Sequence, residues 1–173
     1  FPGVSMELDG SSKDESAAIS ELWIAVFFVL AGIYALLAVP LKSYTQPLII
    51  MSVIPFGLIG AILGHFFLGK TVSIISLLGF IALGGVVVND SLIMVDFVNK
   101  KVRAGMSYAQ ASVEAGAERF RPIILTSLTT FFGLVPILSE TSTQAQMIIP
   151  MAISLAFGIL FATIITLILV PAL

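Results

Sequence analysis

The sequence predicts an all-α membrane protein: a bundle of five transmembrane helices with a short cytoplasmic surface helix. Three observations carry this. Hydrophobic residues make up 58% of the 173 and charged residues only 10%, whereas a soluble domain is about half apolar and about a quarter charged. Five stretches approach or exceed the roughly 20 apolar residues that a helix needs to cross a hydrocarbon core about 30 Å thick. The basic residues, finally, gather in alternate loops rather than spreading along the chain.

The elements follow in order. Residues 1–21 are polar, and Ser12 followed by Glu15 has the spacing of a capping box. This predicts a helix that begins there and runs into the first span, about 22–41, where Trp23 fits an interfacial anchor. The second span covers about 47–68, the third 72–98, the fourth 122–138 and the fifth 147–173. In the segment 99–121, Ser107 with Gln110 repeats the capping-box spacing, and Tyr108, Ala111, Ala115 and Phe120 form a weak apolar stripe. A short helix on the cytoplasmic surface and a solvated loop of one or two helical turns both fit it. The chain starts at Phe1 and ends on Pro171, Ala172 and Leu173 directly after an apolar run. Both ends read as cut, and the chain as a piece of a larger protein.

Loop charge sets the orientation. Lys42, Lys100, Lys101, Arg103, Arg119 and Arg121 fall in the two loops that alternation puts on one side, and Lys13 and Lys70 on the other. The positive-inside rule makes the first side cytoplasmic, with an inverted topology left open by the rule's exceptions.

Depth then ranks the polar residues. Asp90 precedes Lys100 by ten residues, about 15 Å at the helical rise and half the hydrocarbon core. Asp96 is only about 6 Å from Lys100 by the same rise and reaches the interface. A carboxylate at mid-bilayer costs about 2.5–3.5 kcal/mol on insertion scales, so it normally faces the bundle interior and finds a partner. Ala82, Gly85, Asn89 and Asp96 share one helical stripe, and small residues favour close helix packing. The expectation is that this is the packed face, with Asn89 pointing into it and Asp90 at its edge. Thr126, Thr129, Thr130 and Gly133 line one face of the fourth span, with Ser127 beside it. They fit either self-satisfied hydroxyls or a polar network around Asp90. Gly57, Gly60, Ala61 and Gly64 in the second span, and Ser154, Gly158 and Ala162 in the fifth, read as packing faces. Pro55, Pro136 and Pro150 are candidate kinks. His65 reads as an interfacial polar residue rather than a proton carrier.

Several stretches together resemble a known family: PGVSMELDG, AVPLKSYTQPLIIM, IPFGLIGA, GFIALGGVVVNDSLIMVDF, RFRPIILTSLTTFFGLVPIL and LILVPAL. The chain looks like spans eight to twelve, in the C-terminal membrane half, of a resistance–nodulation–division (RND) transporter. The resemblance implies a proton-driven bacterial efflux pump of the inner membrane, linked to multidrug or metal resistance. Residues 1–11 would then end a periplasmic insertion. The implied partners are the N-terminal half of the same transporter, the lipid bilayer and protons, with a trimeric parent and a periplasmic adaptor. In the multidrug branch two Asp of the N-terminal half face a Lys, a Thr and an Arg. By motif the Lys position is Asn89, the next is Asp90, the Thr is Thr126, the Arg is Arg119, and Asp96 matches an acidic residue near the helix end. Asn89 cannot form the ion pair, so either Asp90 takes protons itself or Asn89 makes a neutral hydrogen bond to the N-half carboxylates. Asp90, Asn89, Thr126, Ser127, Arg119 and Asp96 are therefore the proton-relay candidates. The competing reading is a packing scaffold whose relay lies only in the N-terminal half.

Other classes fit poorly. Cysteine is absent and His65 is the one histidine, so no metal or cofactor set is expected. An intramembrane aspartyl protease needs two opposed Asp at mid-membrane, and Asp96 sits too shallow. No P-loop or basic stripe points to nucleotide or nucleic acid.

Overall fold

In the computed structural model, the structure describes residues 11–172, with side chains from 19 to 168. The expected end of a periplasmic insertion lies almost wholly outside the described residues, as do the side chains of the Ser12–Glu15 box. Six helices follow one another: α1 (Ser11–Leu41), α2 (Gln46–Met51), α3 (Ile54–Phe67), α4 (Ile74–Arg103), α5 (Tyr108–Leu138) and α6 (Thr143–Ala172). They make five candidate spans, because α2 and α3 together form the second. The all-helical, five-span expectation is borne out.

The interruption between α2 and α3 has a local cause. Pro55 has no N–H to give, so the i→i−4 ladder cannot pass through it. Around the break Ser52 N–H is shared between Leu48 O at 2.9 Å and Ile49 O at 3.2 Å, and Val53 N–H turns to the tighter bond with Ile50 O at 3.3 Å. Pro136, by contrast, lies inside a continuous α5, and Pro150 inside a continuous α6.

Helix ends follow their sequences. Gly69 and Gly105 adopt left-handed φ values of 61° and 101°. Each follows a helix and lets the chain fold back on its last carbonyls: Lys70 N–H bonds His65 O at 3.0 Å, and Met106 N–H bonds Lys101 O at 3.2 Å. This is the Schellman closure, for which glycine carries no Cβ penalty. Ser107 caps α5 by accepting from Gln110 N–H at 3.4 Å. Ser73 and Ser76 close a reciprocal box at the start of α4.

One expectation needs adjusting. The helix foreseen within 99–121 exists, but not as a separate surface element. Helix α4 runs on to Arg103, and α5 starts at Tyr108 and continues into the fourth span. The reason is antiparallel pairing: Ala111 and Ala115 are fully buried, and Lys101 of α4 binds Glu114 at 2.9 Å and Glu118 at 2.8 Å. The ion pairs join the two arms of the hairpin.

Helices α3, α4 and α6 form most of the core, around Val53, Ala61, Leu83, Val87, Met94, Ile159 and Ala162, with Ile123 joining from α5. Its tightness rests on glycine. A Cβ on Gly79 would sit 2.7 Å from Met151 O, and one on Gly64 would sit 2.5 Å from Phe157 Cβ. Helix α1 docks only near its end, through Leu37 and Leu41 on Ile50 and Val88. Among its described side chains, the turns from 19 onward are largely exposed, with Trp23 at 71% and Phe27 at 68%, as suits a lipid-facing span.

Alternation of the ends is visible in side-chain bonds. Gln46, opening α2, and Asn99, ending α4, exchange two amide hydrogen bonds of 3.0 and 2.9 Å. Lys70 in the α3–α4 turn donates to Gln146 of α6 at 3.1 Å. The Lys42 and Gly105 turns thus share one end of the bundle, and the Lys70 turn lies with the start of α6 at the other.

Candidate functional site: an open polar face on α4 and α5

Asp90 and Thr126 come level because of the α4–α5 hairpin. The Arg119 guanidinium of α5 stacks over the Phe97 ring of α4 at 4.6 Å. Asp90 lies seven residues before Phe97, and Thr126 seven after Arg119. Seven residues make nearly two whole turns, so each returns to the same face of its own helix. Because the helices run antiparallel, both steps lead the same way and place Asp90 and Thr126, by residue count, within about a turn of one height.

The expected packed face of α4 is corrected here. Ala82, Gly85 and Asn89 are exposed, while Leu83, Gly84, Val87, Val88, Ser91 and Met94 are buried. Asn89 therefore points out of this chain's core, and Asp90 is partly buried at the edge. The physical reason is that small residues are needed on only one side of a close contact. Leu83 of α4 fills the room left by Gly57 and Gly158: a Cβ on Gly57 would meet it at 3.2 Å. At the Leu83 level α4 supplies the knob and its partners the holes, whereas at Gly79 α4 is itself the hole for α6.

Helix α5 presents a matching open face. Thr126, Thr129 and Thr130 are exposed, and added Cβ atoms on Gly85 and Gly133 would meet nothing within 4 Å. The hydroxyl protons on this face are committed inward. Thr126 donates to Ile123 O at 2.9 Å, Thr129 to Leu125 O at 2.7 Å and Thr130 to Thr126 O at 2.9 Å. Outward they offer lone pairs, so the stripe is an acceptor surface suited to an opposing donor. Asn89 and Asp90 make no hydrogen bond to any described residue, so no bond joins Asp90 to Thr126 or Ser127 within this chain.

The remaining candidates divide. Asp96 pairs with Lys100 at 2.7 Å, both exposed, a shallow i,i+4 ion pair of small energetic weight. Arg119 stacks on Phe97, and its Nε is buried without a partner among the described residues. Ser127 is buried, donates to or accepts from Thr163 Oγ1 of α6, and has its Oγ 2.9 Å from Ile123 O. Thr163 itself donates to Ile159 O at 2.8 Å. Thr163 went unseen in the sequence, although it and Thr166 are isolated hydroxyls three apart in an apolar run. Ser91, fully buried one residue from Asp90, was also missed; its Oγ has no partner among the described residues.

His65 is buried inside this chain, near the end of α3 and beside the first turn of α4. Its Nδ1 lies 3.0 Å from Ala61 O, a carbonyl that can only accept, so the proton is on Nδ1. The free Nε2 then accepts from the Ser76 hydroxyl at 2.9 Å. The ring clamps α3 to the start of α4.

The chain matches the AcrB/AcrD/AcrF family over residues 1–173. It is 30% identical over 169 residues to the swarming motility protein SwrC of Bacillus subtilis (strain 168), covering 97% of this chain and 16% of that protein. It superimposes on crystal form I of a heavy metal efflux pump with a TM-score of 0.84 at 29% identity, covering 95% of this chain and 16% of the pump. Crystal form II gives 0.81 at 27% identity, covering 99% and 18%. The chain thus spans about a sixth of the length of these relatives. Five apolar spans, a polar pair on α4 and agreement in both sequence and backbone meet in one conclusion: the chain belongs to the AcrB/AcrD/AcrF family of RND transporters.

Proposed function

We propose that the chain forms half of the membrane domain of an efflux transporter driven by the proton-motive force. The observation that carries this is the open face where Asn89, Asp90 and the Thr126 stripe stand level, with nothing opposite them among the described residues. A mid-membrane carboxylate and an acceptor stripe left open in this way suit a docking element that brings its own proton-bearing groups. The N-terminal half of the same transporter is that element. Asp90 costs about 2.5–3.5 kcal/mol at mid-bilayer when charged, and protonation removes most of that cost. Proton binding therefore favours one arrangement of the two halves and release the other, as coupling requires. Asn89 supplies a neutral donor and acceptor, Thr126 an acceptor, and Arg119 a cation two turns toward the basic end. The setting is the bacterial inner membrane, with the Lys42 and Gly105 turns cytoplasmic, a trimeric parent and a periplasmic adaptor.

The test is proton-driven efflux by the full-length protein carrying Asp90→Asn at matched expression. Loss of transport with unchanged folding supports the reading. Full transport favours the scaffold alternative, in which this half only braces a relay carried by the other.

A further inference from the structure

The hydroxyls at the α5–α6 contact compete for one carbonyl. Thr126 Oγ1 and Ser127 Oγ each lie 2.9 Å from Ile123 O. That oxygen also takes the helical N–H of Ser127, four residues on. Three donors exceed its two lone pairs. The conflict disappears if Ser127 gives its proton to Thr163 Oγ1, with which it is in hydrogen-bond contact. Thr163 still donates to Ile159 O at 2.8 Å, which then holds two donors. Only this direction, from Ser127 to Thr163 to the Ile159 carbonyl, leaves every oxygen within its capacity.

We propose that Thr163 is a positioning residue for the polar face: by accepting the Ser127 proton it reserves the Ile123 carbonyl for Thr126, and so holds Thr126 as an outward acceptor. Without the Thr163 hydroxyl, Ser127 turns back onto Ile123 O and displaces the Thr126 proton outward. The face then offers a donor where it had offered an acceptor. The ionisable groups nearby are Asp90 at the same height, Asp96 paired with Lys100, and Arg119 two turns along α5. Helix α6 carries no titratable side chain from Thr143 to Ile168, so Thr163 acts through hydrogen-bond direction and not through charge. A new donor facing a carboxylate stabilises its ionised form.

This inference rests on the proton-coupling reading above, and its experiment separates the two. The pH profile of efflux is measured for the full-length protein and for Thr163→Val, Thr163→Ser, Thr126→Val, Asp90→Asn and the Thr126→Val/Thr163→Val double variant. Thr163→Val is expected to move half-maximal efflux about one pH unit lower, the scale of one charge-assisted hydrogen bond. Thr163→Ser keeps the wild-type profile, since it retains the hydroxyl. In the Thr126→Val background the Thr163→Val shift vanishes. A Thr163→Val profile equal to wild type, or a shift that survives without the Thr126 hydroxyl, overturns the inference even where Asp90→Asn abolishes efflux. Unchanged efflux in Asp90→Asn sinks the coupling reading and this inference with it.

Discussion

Replacing Gly60 by alanine tests the claim that α3 and α6 are held together by the absence of side chains. A Cβ at Gly60 would lie 2.8 Å from the Phe157 carbonyl oxygen, about 0.6 Å inside the 3.4 Å at which ordinary contact begins. It would also overlap the Phe161 Cβ. Both are parts of the α6 helix close to its axis, so no rotamer change relieves them. The helices must separate by several tenths of an ångström along the whole contact. Neighbouring close approaches at Gly64 and Gly158 loosen with it, and dispersion falls off steeply over such a gap. Overpacking of this kind typically costs about 1–3 kcal/mol. Gly32→Ala is the matched control, because a Cβ there meets nothing within 4 Å. On α1 it gains helix propensity and is expected to be neutral or slightly stabilising. The assay is thermal unfolding of the full-length protein in one detergent, with both variants side by side. Equal melting of Gly60→Ala and Gly32→Ala would refute the account of the core.

Two further perturbations probe single contacts. His65→Phe removes the acceptor of the Ser76 hydroxyl proton and puts a larger ring in a buried site, and should lower stability by about 1–3 kcal/mol in the same assay; Ser76→Ala in the His65→Phe background should lower it further, since Ser73 N–H then loses its acceptor at 3.1 Å. Gln46→Leu breaks the reciprocal amide pair with Asn99 and should cost about 1 kcal/mol, while the Gln46→Leu/Asn99→Leu double variant should cost less than the two singles added, since coupled partners are not additive.

Much of the site is legible in the linear chain because depth follows from residue count. Asp90 and Asn89 stand out because the helical rise sets a carboxylate ten residues before Lys100 about 15 Å along the helix from it, whatever surrounds it. Their facing is not legible in the same way. The small-residue stripe of Ala82 and Gly85 suggests a packed face, yet it is the stripe this chain leaves open. Thr163 stays hidden because its role depends on Ser127, 36 residues away in the chain, and nothing local marks the pair. The partner of His65 is not legible because Ser76 lies on another helix.

What the sequence determined alone was what a single helix decides for itself: the five spans, their alternation and the Ser107 cap. Length, hydropathy, proline and the Ser107 signal act within a few residues. What only the tertiary structure decided was which faces meet. A helix carries several stripes able to pack, and the choice is made jointly, by whether Leu83 finds the gap left by Gly57 and Gly158. The same joint choice leaves Asn89, Asp90 and the Thr126 stripe open, since a close-packed interior accepts knobs into holes and has no room for a second face turned inward.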